Sequence, residues 1–279
     1  MSSSRNTSSS VRKRKASDDR THSTAESSGP QGSGSVSPTS GPQPNPKEQL
    51  AEYALEILGS TSGTRHHAFG ILICGSSMEL WYYDAAGIIS TENTISIEHD
   101  FGLFATVIAA FCCCSERRWG HLDIIKHEHD TGLGAFPLRT LKGGTIDIKD
   151  VHIVIGDKIR SQHALVGRRT AIYGATVIRA KESLSGVIKM SYQVTTRTPE
   201  WEFIQKGRDS HVEHLPEVTA YQDFSRFSEE VWGALFPDNG HSYEDRVLRI
   251  IVFPRYTPIR EVINADNFAT ALYQLVNCE

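Results

Sequence analysis

The sequence predicts an α+β protein in three parts. Residues 1–46 are rich in Ser, Thr, Gly and Pro and contain almost no large apolar side chains. Because such a segment cannot bury enough surface to offset the entropy lost on ordering, we expect a disordered amino-terminal tail. Residues 47–150 combine helical and β-type periodicity, which predicts a small α-β-β-β-α accessory module. Residues 151–279 hold β-rich runs around one acidic helix, which predicts an antiparallel sheet that carries a single helix.

Composition limits the class of protein. The net charge of −4 over 279 residues argues against a protein built around a nucleic-acid backbone, so we expect no specific nucleic-acid binding. The five cysteines include the run Cys112-Cys113-Cys114 but no CxxC pair, which favours reduced, largely buried thiols in an intracellular protein. No signal-peptide core is visible, and the longest apolar run is too short to cross a bilayer. We therefore expect a soluble protein without membrane contact.

The predicted tail contains one basic cluster. Arg12-Lys13-Arg14-Lys15 precedes Ser17, a pattern typical of nuclear-import signals, with the serine as a candidate phosphorylation site. The alternative is a tail that serves only solubility. The sequence thus predicts a nuclear or cytoplasmic location and does not choose between them.

The accessory module begins with an amphipathic helix. Its apolar positions recur at i, i+3, i+4, i+7 and i+8, namely Leu50, Tyr53, Ala54, Ile57 and Leu58. Strands are predicted over 67–74, 78–84 and 88–91, and Trp81, Tyr82 and Tyr83 are candidate core residues. A helix is predicted over about 100–114. It is apolar on more than one face, so we expect it to be buried.

The region 115–150 is harder to interpret. His127-Glu128-His129-Asp130 offers four metal-ligating side chains in a row, but consecutive side chains diverge and the spacing does not match an HExxH site. A solvated loop is the better interpretation. Residues 146–155 alternate as expected for a strand.

The stretch from 163 to 204 organises the carboxyl-terminal part. A glycine turn at Gly167 precedes two β runs over 171–180 and 186–192, and the second run contains Lys189. Thr198 as N-cap, Pro199 at the first helical position and Glu200 behind it predict the start of a helix. Each of these features alone is common in any fold. Farther along, 249–253 is a strongly β run, and 268–276 has helical periodicity.

Several segments in a fixed order carry a family resemblance. They are Gln49–Ala54, Met78–Asp84, Gly87–Ser90, Leu165–Gly167, Val187–Lys189, Arg197–Glu200, His214–Pro216 and Arg249–Pro258. From about Lys47 onward, the chain resembles the fungal-type protein kinase family, the large group of mushroom-forming basidiomycete fungi. This resemblance implies that 151–279 forms a protein-kinase-like amino-terminal lobe, a hinge and the start of the larger lobe.

The resemblance also implies a nucleotide site with ATP and Mg²⁺ as cofactors. Lys189 looks like the lysine that contacts the phosphates, and Glu200 looks like its helix partner, with Glu202 as the fallback. Gly167 would lie in the phosphate loop. The segment from Phe253 to Tyr256 looks like the hinge that holds adenine.

Two departures from the family pattern affect the expected activity. Arg169 stands where a second glycine is expected; it would contact phosphate or crowd the backbone approach. Downstream of Lys189, no catalytic-loop motif and no metal-binding motif follow. We therefore assign no catalytic residue and no metal ligand, and we expect a pseudokinase-like fragment, truncated before the larger lobe, with a degenerate ATP-binding lobe.

Three alternatives remain open. The chain is an incomplete copy of an active protein serine/threonine kinase (a transferase), or it is a non-enzymatic protein-interaction module. If the chain is an interaction module or an isolated amino-terminal lobe, we expect a protein partner that covers the exposed face of the lobe. Finally, Gln49 and Tyr53 resemble the QxxxY helix of restriction-like nucleases, but the carboxylate-lysine strand of those folds is missing before them.

Overall fold

The structure is a computed structural model that describes residues 45–60, 65–126, 141–237 and 243–258, together with 261, 268–270 and 273. Pro44–Glu279 forms one compact unit. Three predictions lie outside the described residues. They concern the disordered tail with its basic cluster, the His127–Asp130 loop and most of the helix expected over 268–276.

The amino-terminal elements form a helix on a small antiparallel sheet. α1 (Pro46–Ser60) begins where the side chain of Asn45 accepts a hydrogen bond from the amide of Lys47 at 3.1 Å, as an N-cap residue does. β1 (His67–Cys74), β2 (Ser77–Asp84), β3 (Ile88–Ser90) and β4 (Ile95–Ser96) follow, and β2 pairs with each of the other three. Of the predicted apolar stripe of α1, Leu50, Ala54 and Leu58 pack on the first sheet, against the buried residues Ala68 and Tyr83. The prediction is wrong for Tyr53 and Ile57, which are 55% and 39% exposed.

α2 (Phe101–Cys112) forms where a helix was predicted, but the expectation that it is buried is wrong. Within the described part of the chain none of its residues is buried, and Phe101 and Leu103 are 64% and 53% exposed. The ring of Phe111 attaches the helix to Phe69, with 5.3 Å between ring centroids. No described helix, α2 included, is both long and apolar enough to cross a membrane.

The cysteines are also more exposed than predicted. Cys74, Cys112 and Cys113 are exposed and Cys114 is half-buried, and all four are free thiols. The prediction of largely buried thiols is wrong because three of them lie at the end of the peripheral helix α2.

The remaining strands form one six-stranded antiparallel sheet. In chain order its elements are β5 (Thr145–Ile148), β6 (Val151–Ser161), β7 (Ala171–Arg179), β8 (Glu182–Val194), α3 (Glu200–Asp209), β9 (Ala220–Arg226), a 3-10 turn (Phe227–Glu229), α4 (Val231–Leu235) and β10 (Arg246–Pro254). The strand order is β5-β6-β7-β8-β10-β9. The single strand predicted over 146–155 is instead a hairpin, since Lys149 adopts a φ of 55° and turns the chain between β5 and β6.

One hydrophobic core joins the two sheets. Ala85, from the turn after β2, belongs to the same buried cluster as Ile188 of β8 and Phe227 of the 3-10 turn. In addition, the indole nitrogen of Trp232 in α4 donates a hydrogen bond to the carboxylate of Asp84 at 2.6 Å. The predicted division between 47–150 and 151–279 therefore falls inside the β5–β6 hairpin, and both segments contribute to this core.

Candidate functional site

Lys189 lies on the face of β8 that is turned away from the core. Side chains alternate along a strand, and Ile188, Met190 and Tyr192 are 0%, 2% and 3% exposed in the core. Lys189 and Gln193 therefore point to the opposite face, the one on which α3 packs. β8 presents a lysine on this face although its other face is continuously apolar.

A short ion pair connects Lys189 to α3. Its Nζ donates to Oε2 of Glu200 at 2.5 Å, and the two side chains are 26% and 41% exposed. The alternative acid, Glu202, pairs instead with Lys206 at 2.7 Å, one turn along the same helix. Lys189 is thus held by the first of the two acids that the sequence offered.

Local sequence explains where Glu200 lies. α3 begins one residue later than predicted: Pro199 is the N-cap residue, with no side-chain hydrogen bond. Glu200 consequently occupies the first helical position, where the helix dipole favours an acidic side chain. Trp201 stacks on Tyr221 of β9 with 3.8 Å between ring centroids, and Ile204 is buried. These contacts fix α3 on the sheet with Glu200 over Lys189.

Two recesses open beside Lys189. The first, of about 440 Å³, lies over β6, β7 and β8 and is lined by Arg160, Arg168 and Lys189, together with the hydroxyl groups of Ser161, Thr170 and Ser191. The second, of about 900 Å³, lies towards α3 and is lined among others by Gly167, Arg168, Lys189, Glu200 and Arg197. Arg168 and Lys189 line both recesses. The surface is strongly basic, and Glu200 is the one carboxylate that lines it within the described residues.

The loop between β6 and β7 is tied to its surroundings. Gly167, with a φ of 112°, donates its amide to the carbonyl of Ala85 at 2.9 Å. The carbonyl of Arg168 accepts the amide of Tyr192 at 2.8 Å, and Gln162 donates to Thr170 at 2.8 Å. Gly167 therefore borders the second recess with its backbone donor already engaged.

Arg169 lies in the interior and lines neither recess. It is 8% exposed, and its two terminal nitrogens donate to the backbone carbonyls of His66 at 3.0 Å and Arg65 at 2.9 Å. Its guanidinium also lies 5.2 Å from the ring centroid of Tyr192. The structure thus shows Arg169 joining the loop to the segment before β1.

The predicted hinge lies outside these recesses. Phe253 pairs with Val187 across β10 and β8, two pairs along from Ile251 and Lys189, and shares their face. Tyr256 is 55% exposed, and its hydroxyl accepts a hydrogen bond from the amide of Glu217 at 2.8 Å. The structure therefore brings Gly167, Lys189 and Glu200 together and places Arg169, Phe253 and Tyr256 elsewhere.

Sequence reasoning missed Arg160 and Arg168. Arg160 pairs with Ile172, which in turn pairs with Lys189, so the three residues form a row on one face of the sheet. Only the strand register reveals this row, because β6 is irregular between Ile155 and Arg160. For Arg168, the adjacent arginines gave no sign of which one faces the recess.

A buried polar cluster lies behind the site. Burial lowers the pKa of His66 to about 3 and of His67 to about 4. Burial also raises the pKa of Asp84, although its hydrogen bond from Trp232 acts in the opposite direction. For Arg169, burial lowers the pKa, and nearby Asp84 partly compensates its charge. This cluster connects the segment before β1 to the sheet, which fixes the back of the loop that carries Arg168.

Comparison with known families now identifies the chain. The family model described as "Fungal protein kinase" matches residues 11–231, well over half of the sequence. The chain belongs to the fungal protein kinase family. The resemblance read from the sequence is thereby confirmed, and the match begins upstream of Lys47, inside the predicted tail. It includes Gly167, Lys189 and Glu200 and ends before β10. No curated protein and no solved structure matches the chain.

The chain contains the sequence Asp100-Phe101-Gly102, which has the residues of the DFG motif of protein kinases. The aspartate of a DFG motif binds Mg²⁺ in protein kinases. Here Asp100 precedes the first turn of α2, and its carboxylate accepts the amide of Ser96 at 3.2 Å. It lies upstream of every strand of the six-stranded sheet. Across the described residues, no three His, Cys, Asp or Glu side chains gather into a metal site.

Proposed function

We propose that the face around Lys189 binds the phosphate groups of a nucleotide such as ATP, within a kinase-type amino-terminal lobe. The observation that carries this proposal is the 2.5 Å pair of Lys189 and Glu200 beside two basic recesses. In protein kinases a strand lysine contacts the phosphates, and a glutamate of the following helix orients it.

The order of elements supports the same proposal. β6, a loop, β7, β8 with its lysine and then α3 follow one another as the glycine loop, the lysine strand and the glutamate helix do in a kinase. α3 packs on the lysine face through the Trp201–Tyr221 stack, which keeps Glu200 in place whether or not a ligand is present. Membership of the fungal protein kinase family points to the same ligand class.

Magnesium fits the described site less well than phosphate does. Mg²⁺ is held by carboxylate oxygens together with substrate phosphates, and Glu200, which lines the second recess, is already paired with Lys189. We therefore propose nucleotide binding and assign no step of phosphoryl transfer. The proposed phosphate site has basic side chains and, among its described lining residues, no unpaired carboxylate.

A thermal-melt experiment tests the proposal. ATP at about tenfold over its Kd stabilises the folded state by about 1.4 kcal/mol, which raises the Tm by roughly 3–6 °C for a unit of this size. Lys189→Met removes the phosphate contact and is expected to abolish the shift. The matched control is Lys158→Met, an exposed lysine of the same sheet that lines neither recess, and it is expected to retain the shift.

The outcomes separate the candidate functions. A full shift in Lys189→Met would show that nucleotide binds elsewhere on the chain. No shift in the wild-type protein, with or without Mg²⁺, would overturn the nucleotide proposal and favour the interaction module.

A further inference from the structure

We infer that the phosphates are held by the side chains of Arg160, Arg168 and Lys189 rather than by the amide of the loop glycine and Mg²⁺, so that free nucleotide binds at least as tightly as its magnesium complex. This inference rests on the proposed nucleotide function. Beyond that function, it specifies that the ligand is the metal-free nucleotide, and it names Arg160 and Arg168 as two further binding residues.

In the loop between β6 and β7, the amide of the single glycine is already engaged. A glycine-rich loop binds phosphate through amides that approach it closely. In this loop the amide of Gly167 donates to Ala85 at 2.9 Å, and that of Gln162 donates to Thr170 at 2.8 Å. The side chain of Arg169 is committed to two carbonyls in the interior. These bonds tie the loop to the segments around Ala85 and His66, and Arg168 is the basic side chain that the loop presents to the recess.

The first recess carries uncompensated positive charge. Neither Arg160 nor Arg168 makes an ion pair with any residue that the structure describes, and no carboxylate is among the described residues that line the first recess. Lys189, the third cation, is neutralised by Glu200. This concentration of charge occurs in a chain with a net charge of −4, so it does not reflect a generally basic protein.

The lining and the size of the two recesses indicate the shape and chemistry of the ligand. Guanidinium groups bind phosphate oxygens bidentately, through two parallel hydrogen bonds. Ser161, Thr170 and Ser191 add hydroxyl donors to the same recess of about 440 Å³. The adjoining recess of about 900 Å³ shares Arg168 and Lys189, and its size suits a nucleoside. A triphosphate in the first recess thus joins a nucleoside in the second.

Magnesium would weaken the attraction between this site and a triphosphate. Mg²⁺ neutralises two of the negative charges of a triphosphate, and those charges are the ones that the arginines attract. A kinase site gains from the metal because carboxylates hold it. A site whose nearest carboxylate already pairs with Lys189 gains nothing from the metal and loses attraction.

The experiment is a titration of the full chain with ATP, inorganic tripolyphosphate and adenosine, each in Mg²⁺ and in EDTA, followed by calorimetry or thermal melting. We expect ATP in EDTA to bind at least as tightly as ATP in Mg²⁺. Tripolyphosphate should bind and adenosine alone should bind more weakly than ATP. Arg168→Ala and Arg160→Ala should each weaken ATP and tripolyphosphate binding roughly tenfold, the loss expected for one charge-assisted hydrogen bond.

Arg179→Ala is the matched control. Arg179 is an exposed arginine of β7 that pairs with Asp150 at 2.8 Å and lines neither recess. The substitution changes the net charge by the same amount and should leave both affinities unchanged. Because all three arginines are exposed, ligand-free melting temperatures should stay close to wild type, which separates lost binding from lost folding.

Two results would overturn the inference in different ways. ATP that binds only with Mg²⁺ and is indifferent to both arginine substitutions would refute the arginine site and leave the nucleotide function intact. Equal binding of ATP and tripolyphosphate, both lost in Arg168→Ala, would support the anion site and refute nucleotide recognition.

Discussion

Replacing Arg169 by methionine tests the interior role that the structure gives this arginine. Methionine keeps most of the side-chain volume but removes both donors and the charge. The carbonyls of Arg65 and His66 then lose their hydrogen bonds of 2.9 and 3.0 Å. We expect the variant to be folded but clearly less stable, and we expect its remaining folded fraction to bind nucleotide with unchanged affinity.

The size of the effect follows from the contacts. Each carbonyl left without a donor costs about 1–3 kcal/mol, and loss of the guanidinium over the Tyr192 ring costs about 0.5–2 kcal/mol more. Removing a buried charge returns part of this, since burial already disfavours the charged form of Arg169. The net loss is about 2–4 kcal/mol, which lowers the Tm by roughly 5–15 °C.

The assay is urea unfolding followed by tryptophan fluorescence, with Arg168→Met as the neighbouring control. Arg168 is exposed, so its substitution should change stability by no more than about 0.5 kcal/mol while it weakens phosphate binding. The two adjacent arginines are thus expected to give opposite results. A stable Arg169→Met with weakened nucleotide binding would refute the interior role and restore Arg169 as a phosphate ligand.

Three further predictions concern the buried cluster. Asp84→Asn places an amide donor against an existing donor such as the Trp232 indole. We expect the free energy of unfolding, measured with urea, to fall by about 2–4 kcal/mol, and an unchanged value would contradict this role of the carboxylate. In the folded protein His66 and His67 have pKa values near 3 and 4, below their unfolded value, so their contribution to the free energy of unfolding is complete above pH 6.5 and is lost as the pH falls. We expect the free energy of unfolding to drop by about 4 kcal/mol between pH 7 and pH 5. A free energy of unfolding that stays constant over that range would show that the two histidines are solvated. Gly120→Ala, at a φ of 92°, places a methyl group against the carbonyl of His67 and should lower the Tm by several degrees in a thermal melt, at a cost of about 1–3 kcal/mol, whereas an unchanged Tm would show that the turn relaxes.

Much of the fold was predictable because periodicity survives in the strands and helices. The buried side of α1, the strands β1, β2 and β3 and the acidic helix α3 all follow from local pattern, whereas the short strand β4 was missed. The hairpin at Lys149 was missed because its turn has no glycine or asparagine. The one sign of it is a change of phase in the alternation, from Ile146 and Ile148 to Val151 and Ile153. The exposure of Phe101 in α2 was not predictable, because an apolar composition does not say which neighbour covers the helix.

The candidate site was predictable only in its ion pair. Lys189 and Glu200 have the residue types and order of a kinase lysine strand and glutamate helix, so their meeting was anticipated. Arg168 and Arg169 have the same chemistry and adjacent positions, and the φ of 42° at Arg169 helps turn one side chain inward while the other faces the recess. No sequence pattern encodes that choice, and the register that adds Arg160 depends on irregular pairing in β6.

The hydrogen bond between Asp84 and Trp232 also bears on how the chain folds during synthesis. The two residues are 148 positions apart, so at about 5–20 residues per second the ribosome needs roughly 7–30 s to supply the second after the first. During that interval the carboxylate of Asp84 has the amides of Ala86 and Gly87 as donors but lacks the indole, and Ala85 lacks the later strands that bury it. The turn after β2 therefore completes its core contacts only late in synthesis, and slowing translation between the two positions should lower the yield of folded protein.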